Sequence, residues 1–279
     1  VFSDHDHDGD EDLLVVGEWM PITVFENRGG KLLPSKITSL AGTQGLWFSI
    51  AARDIDGDGD TDYFAGNLGL NSKFKASAEK PFLIFADDFD DSGSCDIVLS
   101  SRHDGNLVPS RGRQCSAQQM PFIARKFPDY QSFAEASLAD IYGRQALEKA
   151  FQRSVTRLDS LFLENTGDGQ FAIHSLPMPT QVAPVMDFGF LDFNGNDREE
   201  VILVGNHYRT EAETVRYDAS HGSVLSLHHG GFKVIDMADS GFFHPGNARD
   251  LQIIRTVQGP LLLVADNDGE LRGYARGKR

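Results

Sequence analysis

Four short stretches of this chain repeat one arrangement, and it limits the folds available more than any other feature. Oxygen-bearing side chains alternate around a tight loop, the ninth position is acidic, and an apolar run follows. Loop one offers Asp4, Asp6, Asp8 and Asp12; loop two Asp54, Asp56, Asp58 and Asp62; loop three Asp88, Asp90, Ser92 and Asp96; loop four Asp192, Asn194, Asn196 and Glu200. Position seven, whose carbonyl can add a ligand, is Asp10, Asp60, Ser94 and Arg198. Gly9, Gly59 and Gly93 at position six supply the sharp turn, while loop four has Asp197 there. Calcium takes about six to eight oxygen ligands, so such loops suit three to four calcium ions. One copy would pass for a solvated Asp-Gly turn; four copies with an acidic ninth position favour a metal. An EF-hand fails by counting: its bidentate Glu belongs at position twelve, where this chain has Val15, Ala65, Leu99 and Leu203.

Charge agrees with that reading. The formal net charge is −15, which repels nucleic acid and anionic membranes and invites cations. Thirteen proposed ligand carboxylates would face eight positive charges from four calcium ions, bringing the net charge to about −7. No apolar run approaches the ~18 residues needed to span a bilayer. The chain opens inside a motif and without Met, which suggests part of a longer product. Cys95 and Cys115 are compatible with one disulfide or two free thiols.

The flanks of the loops read as strands: Phe48–Arg53, Phe82–Ala86 and Met186–Leu191 before them, and short runs rich in Val, Ile, Leu and Phe after them. Strand, Gly turn, strand recurs at Thr23–Asn27, at Leu161–Asn165 leading to Phe171, and at Leu225–His228. One unit is then inner strand, metal loop, second strand, connection and Gly-turn hairpin, which makes a four-stranded blade. The expected fold is all-β, a β-propeller of about five four-stranded blades or part of a larger wheel. Residues 1–279 form a single domain on this reading, with a helical insertion at about 107–159, and the last unit, Asp250 to Tyr274, has no metal loop. Within the insertion, Ser132-x-x-Glu135 and Ser137-x-x-Asp140 have capping-box form, and Leu147, Phe151 and Val155 recur at helical spacing, giving two short helices.

These residues resemble the FG-GAP/VCBS repeat family of integrin-α-like propellers, whose signature includes Asn-x-Gly-x-Gly-x-Phe, here Asn165 to Phe171. Val16–Pro21, Ala65–Lys75 and Arg216–Ser220 look like a subgroup of bacterial surface or secreted members. The resemblance implies the propeller, calcium at the loop positions, and an exported protein that is extracellular, periplasmic or at the cell surface. It implies no enzyme activity.

In such a wheel the metal loops share one face, and the exits of the following strands share the other. Those exits carry Trp19, Asn67, Asn71, Arg102, His103, His207, Tyr208, Arg209 and Glu211, the mixture of aromatics, amides and charges that binding surfaces use. The insertion is locally basic, with nine Lys/Arg against five Asp/Glu from Arg102 to Arg157. Arg111, Arg113, Arg125 and Lys126 would suit an anionic polysaccharide. The first functional expectation is a noncatalytic, calcium-stabilised binding or adhesion module for a carbohydrate or protein ligand. The second is a polysaccharide lyase or hydrolase using His207, Tyr208, Arg209 and Glu211, joined by His244 if the fold brings it near. His5 and His7 are expected to point outward from loop one, and His228 and His229 to flank a hairpin turn.

Overall fold

The computed structural model describes residues 1–192, 195–196, 198–211 and 213–275. Strands account for 41% of the chain and helices for 14%, and the sheets are antiparallel, as the all-β expectation required. Two compact units emerge: unit 1 comprises Val1–Lys73 and Leu158–Arg279, and unit 2 comprises Phe74–Arg157. Among the described residues, no helix is long and apolar enough to cross a membrane.

Unit 1 begins with β1 (Phe2–Ser3) and β2 (Asp12–Val15), joined by loop one, followed by β3 (Glu18–Met20), β4 (Thr23–Asn27), β5 (Leu32–Pro34) and β6 (Gly45–Leu46). The first sheet has the order β1-β2-β4-β5, and β3 pairs with β6. Loop two then joins β7 (Ser49–Arg53) to β8 (Asp62–Gly66).

Unit 2 contains β9 (Phe82–Asp87), loop three, β10 (Asp96–His103), β11 (Asn106–Pro109), five short helices and β12 (Phe151–Val155). The helices are α1 (Arg113–Gln119), α2 (Phe122–Lys126), α3 (Tyr130–Ala134), α4 (Leu138–Tyr142) and α5 (Arg144–Lys149). Its sheet runs β11-β10-β9-β12, so loop three joins two central strands here, not an edge strand to its neighbour. Phe85 and Val98 of the sheet share a core with Met120, Ile123, Phe133, Leu138, Ile141 and Leu147 of the helical segment. The excursion therefore includes loop three as well as the helices. Five helices replace the expected two because turns interrupt the segment repeatedly. The Ser137–Asp140 capping box forms, whereas Asp129, not Ser132, caps α3. Leu147 is helical, but Phe151 and Val155 lie in β12, where pairing with β9 overrides their helical spacing.

Returning to unit 1, β13 (Leu161–Asn165) and β14 (Phe171–Ser175) complete the sheet of β7 and β8 in the order β7-β8-β13-β14. The hairpin expected to follow loop three thus belongs to loop two: Leu161 to Leu163 pair with Tyr63 to Ala65. Loop four joins β15 (Val185–Leu191) to β16 (Glu200–Gly205), and β17 (Ser223–His228) and β18 (Gly231–Ile235) finish that sheet in sequence order. After the short helix α6 (Met237–Ser240), β19 (Ala248–Thr256), β20 (Gly259–Asp266) and β21 (Leu271–Ala275) form a three-stranded sheet among the described residues, one strand fewer than the expected four.

The second strand of the loop-two and loop-four sheets is buried on both faces: every residue of β8 and of β16 is buried. Burial on both sides explains their continuous apolar runs, in contrast to the alternation of a half-exposed strand. Tyr63 and Ala65 pack with Leu14, Val24 and Trp47, while Phe64 packs with Phe162, Val185 and Phe188. Each of these strands ends in a glycine where backbones meet. A β-carbon on Gly66 would collide with Ser49 Oγ and the Val185 carbonyl, and one on Gly205 with the Pro184 carbonyl.

Candidate metal loops and strand-exit site

Loops one to three fold into one geometry, set by side-chain oxygens that accept backbone N–H groups. In loop one Asp4 accepts from Asp8 (3.1 Å) and Gly9 (3.1 Å), and Asp8 accepts from Asp10 (2.9 Å). In loop two Asp54 accepts from Gly57 (2.8 Å) and Gly59 (3.2 Å), and Asp58 from Asp60 (2.9 Å). In loop three Asp88 accepts from Ser92 (2.9 Å) and Gly93 (2.7 Å), and Ser92 from Ser94 (3.4 Å). These bonds draw the carboxylates together: one oxygen from each of Asp4, Asp6 and Asp8 lies within 4.8 Å of the others. The same holds for Asp54, Asp56 and Asp58, and for Asp88, Asp90 and Asp96. Such all-oxygen sets fit the chemistry of a hard cation.

Loop four keeps part of the pattern. Asp192 accepts from Gly195 (2.5 Å) and Asn196 (3.1 Å), and Asn196 accepts from Arg198 (2.9 Å). Asn194 and Asp197 lie outside the described residues. A left-handed fourth position, unnoticed in the sequence, recurs in all four loops: His7 (φ 59°), Gly57 (80°), Asp91 (56°) and Gly195 (79°). Gly accepts this backbone freely, and Asp tolerates it better than most other residues.

The acidic ninth position ties neighbouring strands together. Asp12, Asp62, Asp96 and Glu200 are all buried. Asp12 accepts from the Asn27 N–H (2.7 Å) at the end of β4, and Asp62 from the Asn165 N–H (2.9 Å) at the end of β13. The two asparagines return the link through their amides, Asn27 to Glu11 O (3.1 Å) and Asn165 to Thr61 O (3.3 Å). These equivalent carboxyls titrate in opposite directions. Burial pushes Asp62 up to about 7 beside apolar Ile55. At Asp12 burial also raises the pKa, but bonds from Asn27 and His5 outweigh it and hold the carboxyl below its usual range.

His5 is therefore not an outward-pointing residue. It is only 2% exposed, with Nδ1 2.5 Å from Asp12 and its ring stacked on Phe171. His7 is exposed and reaches Asp60 of loop two at 3.2 Å. Arg53, at the end of β7, pairs with Glu199 beside loop four at 2.5 Å. Loops one, two and four of unit 1 are thus neighbours.

The opposite strand ends also converge in unit 1. Glu18 of β3 pairs with Leu46, whose N–H donates to Asn67 Oδ1 at 3.1 Å. Asn71 donates to Val182 O (3.2 Å), and Lys73 pairs with Glu211 at 2.8 Å. His207 lies against Phe48 with ring centroids 6.3 Å apart. Its Nδ1 accepts from Arg249 Nη2 at 3.0 Å, while Arg249 Nη1 donates to Asn206 O at 3.1 Å. Burial and the adjacent guanidinium lower the His207 pKa and so favour neutral imidazole. Tyr208 donates to Pro245 O (3.0 Å) beneath Arg216, and Arg209 pairs with Asp268 at 2.5 Å. Arg249 went unnoticed in the sequence, where it stands in an ordinary strand with no motif to mark it.

Several expected ligand residues make structural contacts. Asn67 is wholly buried; it anchors the strand exit through Leu46, Leu68 and Asp159. Trp19 lies in β3 with φ 62°. Arg102 and His103 belong to β10 rather than to a connection, because the strand runs eight residues before turning at Asp104-Gly105. Arg113 donates to Phe127 O (2.6 Å) and Pro128 O (3.2 Å), Arg111 to Ile97 O (3.3 Å), and Lys126 to Ile141 O (3.1 Å). Arg102 and Arg153 of unit 2 likewise donate to carbonyls, of Gly105 (3.2 Å) and Gln152 (2.9 Å). His244 is brought near Tyr208 through Pro245, but both its ring nitrogens are engaged, by Tyr274 (2.8 Å) and Asp266 (2.9 Å). His228 and His229 flank the β17–β18 turn as expected, and face an open groove shared with Glu164 and His174.

Residues 4–65 match the family model of the FG-GAP-like repeat. The matched stretch contains loops one and two and the strands beside them. No curated protein matches the chain.

Proposed function

We propose that the chain is a calcium-stabilised, extracellular or cell-surface recognition module, in which the antiparallel sheets serve as blades of a β-propeller. Calcium fills the aspartate loops and holds strand junctions in place. A carbohydrate or protein ligand binds at the strand exits of unit 1. The observation that carries this reading is the grouping of His207, Arg249 and Phe48 at the end of the sheets away from the loops. An aromatic face beside a cation and a neutral imidazole suits stacking and hydrogen bonding to a sugar or a polar peptide. The stabilising role of calcium rests on the clustered carboxylates, which repel one another when bare.

Binding to glycan and protein arrays, with calcium and with chelator, tests both halves. Phe48→Ala and Arg249→Gln should abolish binding without lowering calcium affinity; binding that survives both changes contradicts the exit site. Chelator should lower the melting temperature and added calcium restore it, and an unmoved transition contradicts the stabilising role.

One observation favours a second reading, catalysis by a polysaccharide lyase. The lowered pKa of His207 would leave it neutral and able to accept a proton. Incubation with acidic polysaccharides would then produce unsaturated products that absorb in the ultraviolet, and His207→Ala would stop their formation.

A further inference from the structure

A second donor set lies beside loop one and differs in chemistry from the all-oxygen clusters. His5, Asp6 and Glu26 each present a ligating atom within 4.8 Å of the other two. Glu26 comes from β4, outside the loop, where Ser35 and Arg28 hold its two oxygens.

The buried imidazole sets this group apart. His5 is fixed on three sides: its ring stacks on Phe171, its carbonyl accepts from Asn165 Nδ2 at 2.8 Å, and its Nδ1 meets Asp12. The Asp12 carboxylate accepts the backbone N–H groups of Asn27 and His5, and Nδ1 is the ring nitrogen turned towards it. Nε2 is the other ring nitrogen, and no hydrogen bond engages it among the described residues. A carboxylate behind one imidazole nitrogen, with no hydrogen bond to the other, is the arrangement that orients metal-binding histidines.

We propose that His5 Nε2, a carboxylate oxygen of Asp6 and one of Glu26 bind a divalent transition ion, zinc in the first place. Imidazole nitrogen is a favourable ligand for zinc, copper and nickel, whereas calcium prefers oxygen throughout. One nitrogen and two oxygens make three zinc ligands, and water completes a tetrahedron. Zinc bonds of about 2.0–2.2 Å require these donors to draw inward on binding. The site shares Asp6 with the first aspartate cluster, but it does not depend on calcium being bound there.

The test is calorimetric titration of the full chain with zinc, in calcium-containing and in calcium-free buffer, with cobalt(II) as the spectroscopic probe. Wild type should bind one zinc in both buffers, and cobalt should give a visible absorption band that zinc removes. His5→Gln and Glu26→Gln should each weaken zinc about tenfold or more, and His7→Gln should leave it unchanged. Glu26→Gln lies outside the calcium loop, so it remains informative if His5→Gln fails to fold. Zinc affinity unaltered in a folded Glu26→Gln protein would overturn the proposal, as would loss of zinc binding in His7→Gln alone. Calcium affinity measured separately on the same proteins distinguishes a failure of this site from a failure of the calcium reading.

Discussion

The carboxylate of Asp62 accepts the backbone N–H of Asn165 across 103 positions of sequence. The equivalent bond from Asn27 to Asp12 crosses only 15. One local device, an acidic ninth position tied to an asparagine ending the third strand, is therefore used at two very different chain separations. Its geometry does not depend on what lies between.

Asn165→Ala should destabilise the protein by about 1–3 kcal/mol, since it removes amide bonds to His5 O and Thr61 O in a buried setting. Urea denaturation with a two-state fit measures the loss. An unaltered midpoint would mean that water replaces the side chain.

Two glycine substitutions separate close backbone approach from ordinary strand propensity. Gly205→Ala should leave the protein insoluble or cost roughly 3 kcal/mol or more, because its β-carbon would strike the Pro184 carbonyl. Gly273→Ala in β21 meets only side-chain carbons at 3.5 Å and beyond, so it should be nearly neutral. Soluble yield and thermal midpoint compare the two directly.

Asp187 gives a pH dependence of defined sign. Burial raises its pKa from 3.8 to about 6, with Asp250 contributing as a neighbouring carboxyl. The protonated form is the one the fold prefers, so its contribution is complete below 3.8 and is lost as pH climbs through about 6. Stability curves of wild type and Asp187→Asn should therefore diverge over that window, with the variant gaining on wild type as pH rises. Parallel curves would rule this out.

Gly69 N donates to Leu158 O at 2.8 Å, so the points where the chain leaves and rejoins unit 1 already touch. Replacing residues 74–157 by a short glycine linker should preserve a cooperatively folding unit 1. Circular dichroism and calcium titration of loops one and two would show it. Loss of the strand signal would show that unit 1 requires unit 2 to fold.

The strands and loop positions were legible because they rest on local chemistry. Apolar runs bounded by Asp-Gly turns gave β2, β8, β10 and β16, and the Asn-Gly turn gave β13 and β14 within a residue. Pairing partners were not legible, because Leu161–Asn165 carries no mark of whether it joins β8 or β10. The sites divide in the same way. Carboxylates sharing one loop could be grouped by spacing, whereas Arg249 beside His207 and Glu26 beside His5 depend on contacts between distant segments. Basic residues show the same limit: charge is visible in a sequence, but the carbonyls that Arg113 and Lys126 bond are not.

Interposing unit 2 between β8 and β13 also has a temporal side. At about 5–20 residues per second of synthesis, β8 leaves the ribosome roughly 5–20 s before the strand that covers its free edge. During that interval a strand destined for complete burial has only β7 beside it, while unit 2, contiguous in sequence, has time to fold by itself. The nascent chain is thus most exposed to aggregation at Tyr63-Phe64-Ala65, and it is there that a chaperone would find its longest-lived target.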